Sequence, residues 1–334
     1  MPYLNVKKFT LSRDDDFMEG WPDLIKLHSG RLLVAYNECV GHGNRDHTHI
    51  TVRTSDDGGE RWSDKRYVGE ETFQGNQWNS IRVNQLKNGR IILVCDKISG
   101  TEFTCATELY AFESLDGGDT WSDKRRLGIY GYCSDKVREL SDGSLLLCVS
   151  RFNSEIGKSE IFAHKSLDGG VSWSKPKLAV SSMVYTFIEP AAYEMSDGTV
   201  AVFLRENSFK NYNGFVVFSQ DGGNSFSEPC EISVPGMHRP FVGRLSDGSI
   251  LLSYREFLNG DKSRLKACLF NEDLLKNRGE FRLFDIDRDR SVTPDGGYSA
   301  WVQLDDGEIA MVNYIVDDAP RAYIRGYRIR MGEE

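Results

Sequence analysis

The chain has no long apolar run, no basic excess and no paired-cysteine motif. Across its 334 residues nothing approaches the roughly 20 consecutive apolar residues of a membrane-spanning helix. Met1 to Arg13 carries no apolar segment of the signal-peptide kind, so a cytoplasmic location is expected unless a leader has been removed. Lysine and arginine number 41 against 50 aspartates and glutamates, for a net charge of -9. A nucleic acid or an anionic membrane needs a basic face, so neither is an expected partner. The seven cysteines (Cys39, Cys95, Cys105, Cys133, Cys148, Cys230 and Cys268) are odd in number and scattered, without CxxC spacing. They read as reduced thiols filling strand interiors. Cys133, near the start of a repeat unit, also admits a catalytic reading.

What the chain does have is repetition. The phrase Ser-x-Asp-x-Gly-x-x-Trp begins at Ser55, Ser114 and Ser166, and a weaker copy runs from Ser219 to Phe226. In each copy Asp-Gly-Gly supplies side-chain acceptors and positive-φ positions for a turn, which the aromatic residue then closes. A second pattern, an apolar strand running into a glycine turn and out into another apolar strand, is centred on Gly30, Gly89, Gly143, Gly198, Gly248 and Gly307. Six units of four short strands at a period of about 50 to 60 residues predict an all-β fold, a six-bladed β-propeller with four-stranded antiparallel blades. One blade cannot bury its own faces, so the units must close on each other. A single domain is expected over residues 1–334, with Tyr3 to Leu11 completing the last blade. The fifth unit lacks the Asp-Gly-Gly phrase and has Asn271-Glu272-Asp273 in its place.

In a propeller the two kinds of tight turn share one end of the disc, and the starts of the innermost strands gather with the remaining loops at the other. Polar and aromatic residues predicted at that second end are the candidates for chemistry. The first unit offers Glu38, Asp46, His47, His49 and Trp21, the second Trp78, and the third Asp135. The fourth offers Glu189 and Arg205, the fifth Arg239, Arg255 and Arg264, and the sixth Tyr298. Arginines and carboxylates around one axis suit a polar, hydroxylated, anionic ligand, because guanidinium groups grip carboxylates in a fork. A sugar acid fits that description. His47-x-His49 puts two imidazoles on one face of a strand, but no third ligand stands at motif spacing, so no metal and no cofactor are expected.

The repeated phrase is the Asp-box, and six units carrying it resemble the sialidase (neuraminidase) superfamily of glycoside hydrolases over nearly the whole chain. Gly297-Tyr298-Ser299, followed by an apolar strand and Asp306-Gly307, is similar to the segment that carries the family's tyrosine nucleophile. The resemblance implies that Glu189 assists that tyrosine. It further implies that Arg205 and Arg264 bind a substrate carboxylate and that Asp46 is the general acid/base. A neutral phenol suits an oxocarbenium-like transition state next to a carboxylate-bearing sugar, since it does not repel the substrate. With an ordinary pKa of about 10 it requires a neighbouring base.

One departure stands out. Where the family opens its first blade with an arginine, this chain reads Glu19-Gly20-Trp21-Pro22, and an aromatic platform replaces the guanidinium. The expectation is therefore a sialidase-like exo-glycosidase acting with retention on a glycan or oligosaccharide with a terminal acidic sugar. A polysaccharide lyase or histidine-dependent glycosidase on the same fold, and a non-catalytic carbohydrate-binding propeller, are the alternatives.

Overall fold

Each turn glycine adopts a left-handed backbone, as its tight turn requires. Gly30 has φ 89° and Gly248 φ 88°, yet a β-carbon at either would meet nothing within 4 Å. Conformation, not space, selects glycine there. The Gly30 amide donates to the Leu27 carbonyl and the Leu27 amide to the Arg31 carbonyl, both at 2.8 Å. The flanking segments are thereby set antiparallel, and apolar side chains fill both faces of the inner strands.

The computed structural model describes residues 3–42, 44–73, 76–99 and 107–332. Its strands form six four-stranded antiparallel sheets arranged as a six-bladed β-propeller. Blade one contains strands A to D as Met18–Lys26, Leu32–Gly41, Asn44–Ser55 and Arg66–Phe73. The A strands of blades one and two, four and five, five and six, and six and one contact one another around the axis, blade three packs on blade four through its strand B, and the D strands lie outermost. Blade six takes strands A to C from Gly297–Gln303, Ile309–Ile315 and Tyr323–Gly332, and its outer strand from Tyr3–Ser12 at the other end of the chain. There Tyr3 stands opposite Gly332, and the Phe9 ring occupies the place a β-carbon on Gly326 would need.

The Asp-box is a self-contained turn. In the first copy Ser55 Oγ donates to Asp57 at 2.8 Å and accepts the Gly59 amide at 2.8 Å, while Trp62 Nε1 donates to the Gly59 carbonyl at 3.2 Å. The serine contact recurs at Gly118, Gly170 and Gly223. Arg31, in an A–B turn, pairs with Asp56 and Asp119 of two Asp-boxes, so both turn types share one end of the disc. In blade five the box is replaced by a one-turn helix, Glu272–Lys276, capped by the Asn271 side chain and anchored by buried Leu275.

Ionic staples cross the middle of the ring. Buried Asp23 accepts the Val83 amide of the next blade at 2.9 Å and pairs with Lys136 of blade three at 3.0 Å. Asp135 repeats the device one blade pair further on, accepting the Ala192 amide at 2.8 Å while held by Arg138.

Candidate active site

One residue in the first half of strand A, or in blade three five residues ahead of it, has a left-handed backbone: Trp21 (φ 54°), Ser80 (53°), Cys133 (48°), Glu189 (54°), Arg239 (52°) and Tyr298 (57°). None is glycine, and each such conformation costs on the order of 1–3 kcal/mol and persists only where its surroundings impose it. In five blades the A–B pairing also slips at this point, as between Ile188 and Ala191 or Gly297 and Ala300. The bulge re-aims the side chain toward the axis. All of these residues except Arg239 line a single cavity of about 310 Å³, within the range of about 300–1,000 Å³ typical of small-ligand sites.

A second ring comes from the strands B. The step from turn glycine to axial residue is the same in every blade, from Gly30 to Asn37, Gly89 to Asp96, Gly143 to Ser150, Gly198 to Arg205, Gly248 to Arg255 and Gly307 to Tyr314. All six are buried. Most reach the start of the next blade: Asn37 donates to the Trp78 carbonyl (3.0 Å), Asp96 accepts the Cys133 amide (3.0 Å), Ser150 accepts the Glu189 amide (2.9 Å) and Arg255 donates to the Gly296 carbonyl (3.0 Å).

The two rings meet at Tyr298. Its hydroxyl donates to Glu189 Oε1 at 2.5 Å, and Arg205 Nη1 donates to Glu189 Oε2 at 2.8 Å and to the Tyr298 oxygen at 3.3 Å. The Arg239 and Arg255 guanidiniums lie 5.3 and 5.6 Å from the centre of the Tyr298 ring, as cation–π partners. Burial and the Glu189 charge push the phenol up to about 12, against the pull of Arg205 and Arg255. Burial alone would raise the Glu189 carboxyl, but Arg205 and Arg239 outweigh it and hold the group at about 2. The resting pair is therefore a neutral phenol and a carboxylate. Arg205 Nε, Arg239 Nε and Nη1, and Arg255 Nε are buried without a protein acceptor. Immediately around the Tyr298–Glu189 pair three guanidiniums face that one carboxylate, a local field that favours an anion, while Asp96 and Asp295 add negative charge elsewhere around the axis.

The neighbouring wall, next to Tyr298 across the shared Tyr314 ring, is Trp21 and His42. The indole meets the imidazole edge-on at 5.1 Å, and His42 Nδ1 lies 2.9 Å from Asp295, which also accepts the Tyr314 hydroxyl at 3.2 Å. Tyr132, Phe152 and Phe209 complete the lining with Asn79 and Asn207.

Of the residues expected from the sequence, Tyr298, Glu189, Arg205 and Trp21 line the cavity, with Arg239 and Arg255 packed around the Tyr298 ring. The structure places several others away from that cavity. Arg264 lies on the third strand of its blade, where its guanidinium faces Glu256 at 3.9 Å and Asp261 at 3.8 Å, because only strand A and the end of strand B reach the axis. Glu38 is one residue beyond the axial Asn37, so the two-residue period of a strand turns it to the other face, where it binds Lys65 at 2.6 Å. Trp78 precedes the left-handed residue of its blade, Ser80, and is a core side chain 1% exposed. Asp135 is the interblade staple described above. His47 and His49 sit on strand C and face Glu71. The Asp46 side chain lies outside the described residues. Sequence reasoning missed Ser80, His42 with Asp295, and the aromatic Tyr132, Phe152 and Phe209. For Ser80 a signal existed: it stands in the same repeat register as Trp21 and Glu189.

Residues 22–311 match the family model of the BNR repeat-like domain. A sialidase of Paraclostridium sordellii is 24% identical over 271 residues, covering 76% of this chain and 55% of that protein. The chain thus spans about half the length of that relative. Among solved structures, a protein of unknown function from Dyadobacter fermentans superposes with a TM-score of 0.83 at 20% identity, over 98% of this chain and 99% of that one. The Hadza microbial sialidase Hz136 superposes with a TM-score of 0.77 at 15% identity, over 97% of this chain and 68% of that one. At these identities the structural likeness is one of fold.

Proposed function

The chain belongs to the BNR repeat-like domain family, and on that premise we propose that it is a sialidase-like exo-glycoside hydrolase that removes a terminal acidic sugar with retention. The observation that carries this reading is the 2.5 Å contact between Tyr298 and Glu189, both of which line the axial cavity. Tyr298 Oη attacks the anomeric carbon as the glycosidic bond breaks, and its proton passes to Glu189. Because the resting phenol is pushed up to about 12 and the carboxyl held near 2, that proton moves only as the new C–O bond forms. A general acid protonates the leaving oxygen and then activates the water that cleaves the glycosyl-tyrosine. Asp46 has this role in our reading. The excess of guanidinium charge around Tyr298 supports an anionic sugar, and Trp21 gives its ring an apolar face to stack on.

A histidine-dependent variant is favoured by one observation: His42, oriented by Asp295, lines the same cavity. In it His42 replaces Asp46 as proton donor. A panel of aryl glycosides of sialic acid, uronic acids, rhamnose and arabinose tests the substrate class. Release from the acidic sugars alone is expected, and turnover of only the neutral ones overturns the proposal. An unsaturated, ultraviolet-absorbing product identifies a lyase instead.

A further inference from the structure

Blade one carries a cluster that the axial chemistry does not use. His47 and His49 are alternate residues of strand C, so both imidazoles leave the same face, and Glu71 on neighbouring strand D rises beside them. The C–D pairing slips between Thr48 and Ile50, which leaves His49 in a bulge. Glu71 Oε1 contacts His47 Nδ1 and lies 3.5 Å from His49 Nε2, and the three donor atoms all fall within 4.8 Å of one another. None of the three residues lines the axial cavity.

We propose that His47, His49 and Glu71 form a binding site for a divalent transition-metal ion of the zinc class, clamping strand C of blade one to strand D. Two imidazoles and one carboxylate are a borderline donor set that suits zinc and its first-row neighbours, whereas magnesium and calcium prefer oxygen alone. Three protein ligands leave a fourth position for water. The rings are held in place before any ion arrives. Phe17 stacks on His47 at 4.4 Å and Tyr67 lies over His49 at 4.3 Å, so little rotamer freedom remains to be lost on binding. The side chains are 20%, 16% and 30% exposed, sheltered yet open to an ion from solvent.

The test uses the untagged full chain, stripped with chelator and titrated with Co²⁺ while its visible d–d absorption is followed. Zn²⁺ content after dialysis is measured in parallel. One equivalent of metal per chain is expected, with Zn²⁺ displacing Co²⁺. Glu71→Gln and His49→Gln should each weaken binding at least tenfold while the far-ultraviolet circular dichroism stays unchanged. Absence of retained metal overturns the proposal, as does wild-type affinity in both single variants. Should one variant fail to fold, the other decides. Metal retention is read without sugar turnover, so its outcome is independent of the glycosidase reading.

Discussion

Tyr298 and Glu189 are the same residue of the repeat in two different blades. Both are the left-handed position that opens strand A, with φ 57° and 54°, and the ring brings their oxygens to 2.5 Å although 109 residues separate them. Arg205 then bridges the pair.

Removing the phenolic oxygen isolates chemistry from binding. Tyr298→Phe keeps the ring that Arg239 and Arg255 pack against, so sugar affinity should stay within a few-fold of wild type, while loss of the hydrogen bond to buried Glu189 should lower stability by about 1–3 kcal/mol. Turnover of the best aryl glycoside should fall by a factor of about 100 or more. A variant with undiminished kcat would remove Tyr298 from the mechanism.

The two blade-five arginines should behave differently. Arg255→Ala takes a buried cation from beneath Tyr298 and leaves the Gly296 carbonyl unpartnered, which predicts a loss in kcat/KM of at least tenfold. Arg264 is 41% exposed and only loosely paired, so Arg264→Ala should change kcat/KM less than twofold. Steady-state kinetics on the two variants side by side discriminates the axial site from the sequence expectation.

The Asp-boxes should matter for stability alone. Ser166 is buried, and its hydroxyl accepts the Gly170 amide at 2.8 Å. Ser166→Ala leaves that amide without its acceptor and should cost about 1–3 kcal/mol in a denaturant titration. Specific activity of the folded variant should be unchanged, because the turn lies at the end of the disc away from the cavity.

Glu189 ties stability to pH. Its carboxyl is held at about 2 against an ordinary 4.5, so the folded state binds fewer protons than the unfolded one between those values. The resulting stabilisation is fully present above about pH 4.5 and is lost as pH falls toward 2. Glu189→Gln leaves Arg205 buried without its counter-charge, a loss of about 3–5 kcal/mol near neutral pH. The gap in melting temperature between wild type and variant should be constant from neutral pH to about pH 5 and narrow below about 4.5. A gap that stays constant down to pH 3 would show that the arginine neighbours do not lower the carboxyl's pKa in the fold.

The sequence by itself determined the scaffold. Turn glycines such as Gly30 and Gly248 and the Asp-box serines act through contacts a few residues long, so their spacing announces six blades and the ends of the strands. It also marked Tyr298, Glu189 and Arg205, because a rare polar residue at a fixed point of a repeat is visible in one dimension. Which neighbours reach the axis was decided only by the tertiary structure. Asn37 and Glu38 are adjacent and equally polar, and the pleat sends one inward and the other to Lys65. Arg255 and Arg264 differ by one strand, and only the inner strand touches the centre. The meeting of His49 with Glu71 likewise depends on a bulge between two strands. Such choices rest on register, twist and the closing of a ring, which are cooperative properties of the whole chain and leave no local mark on the residues they select.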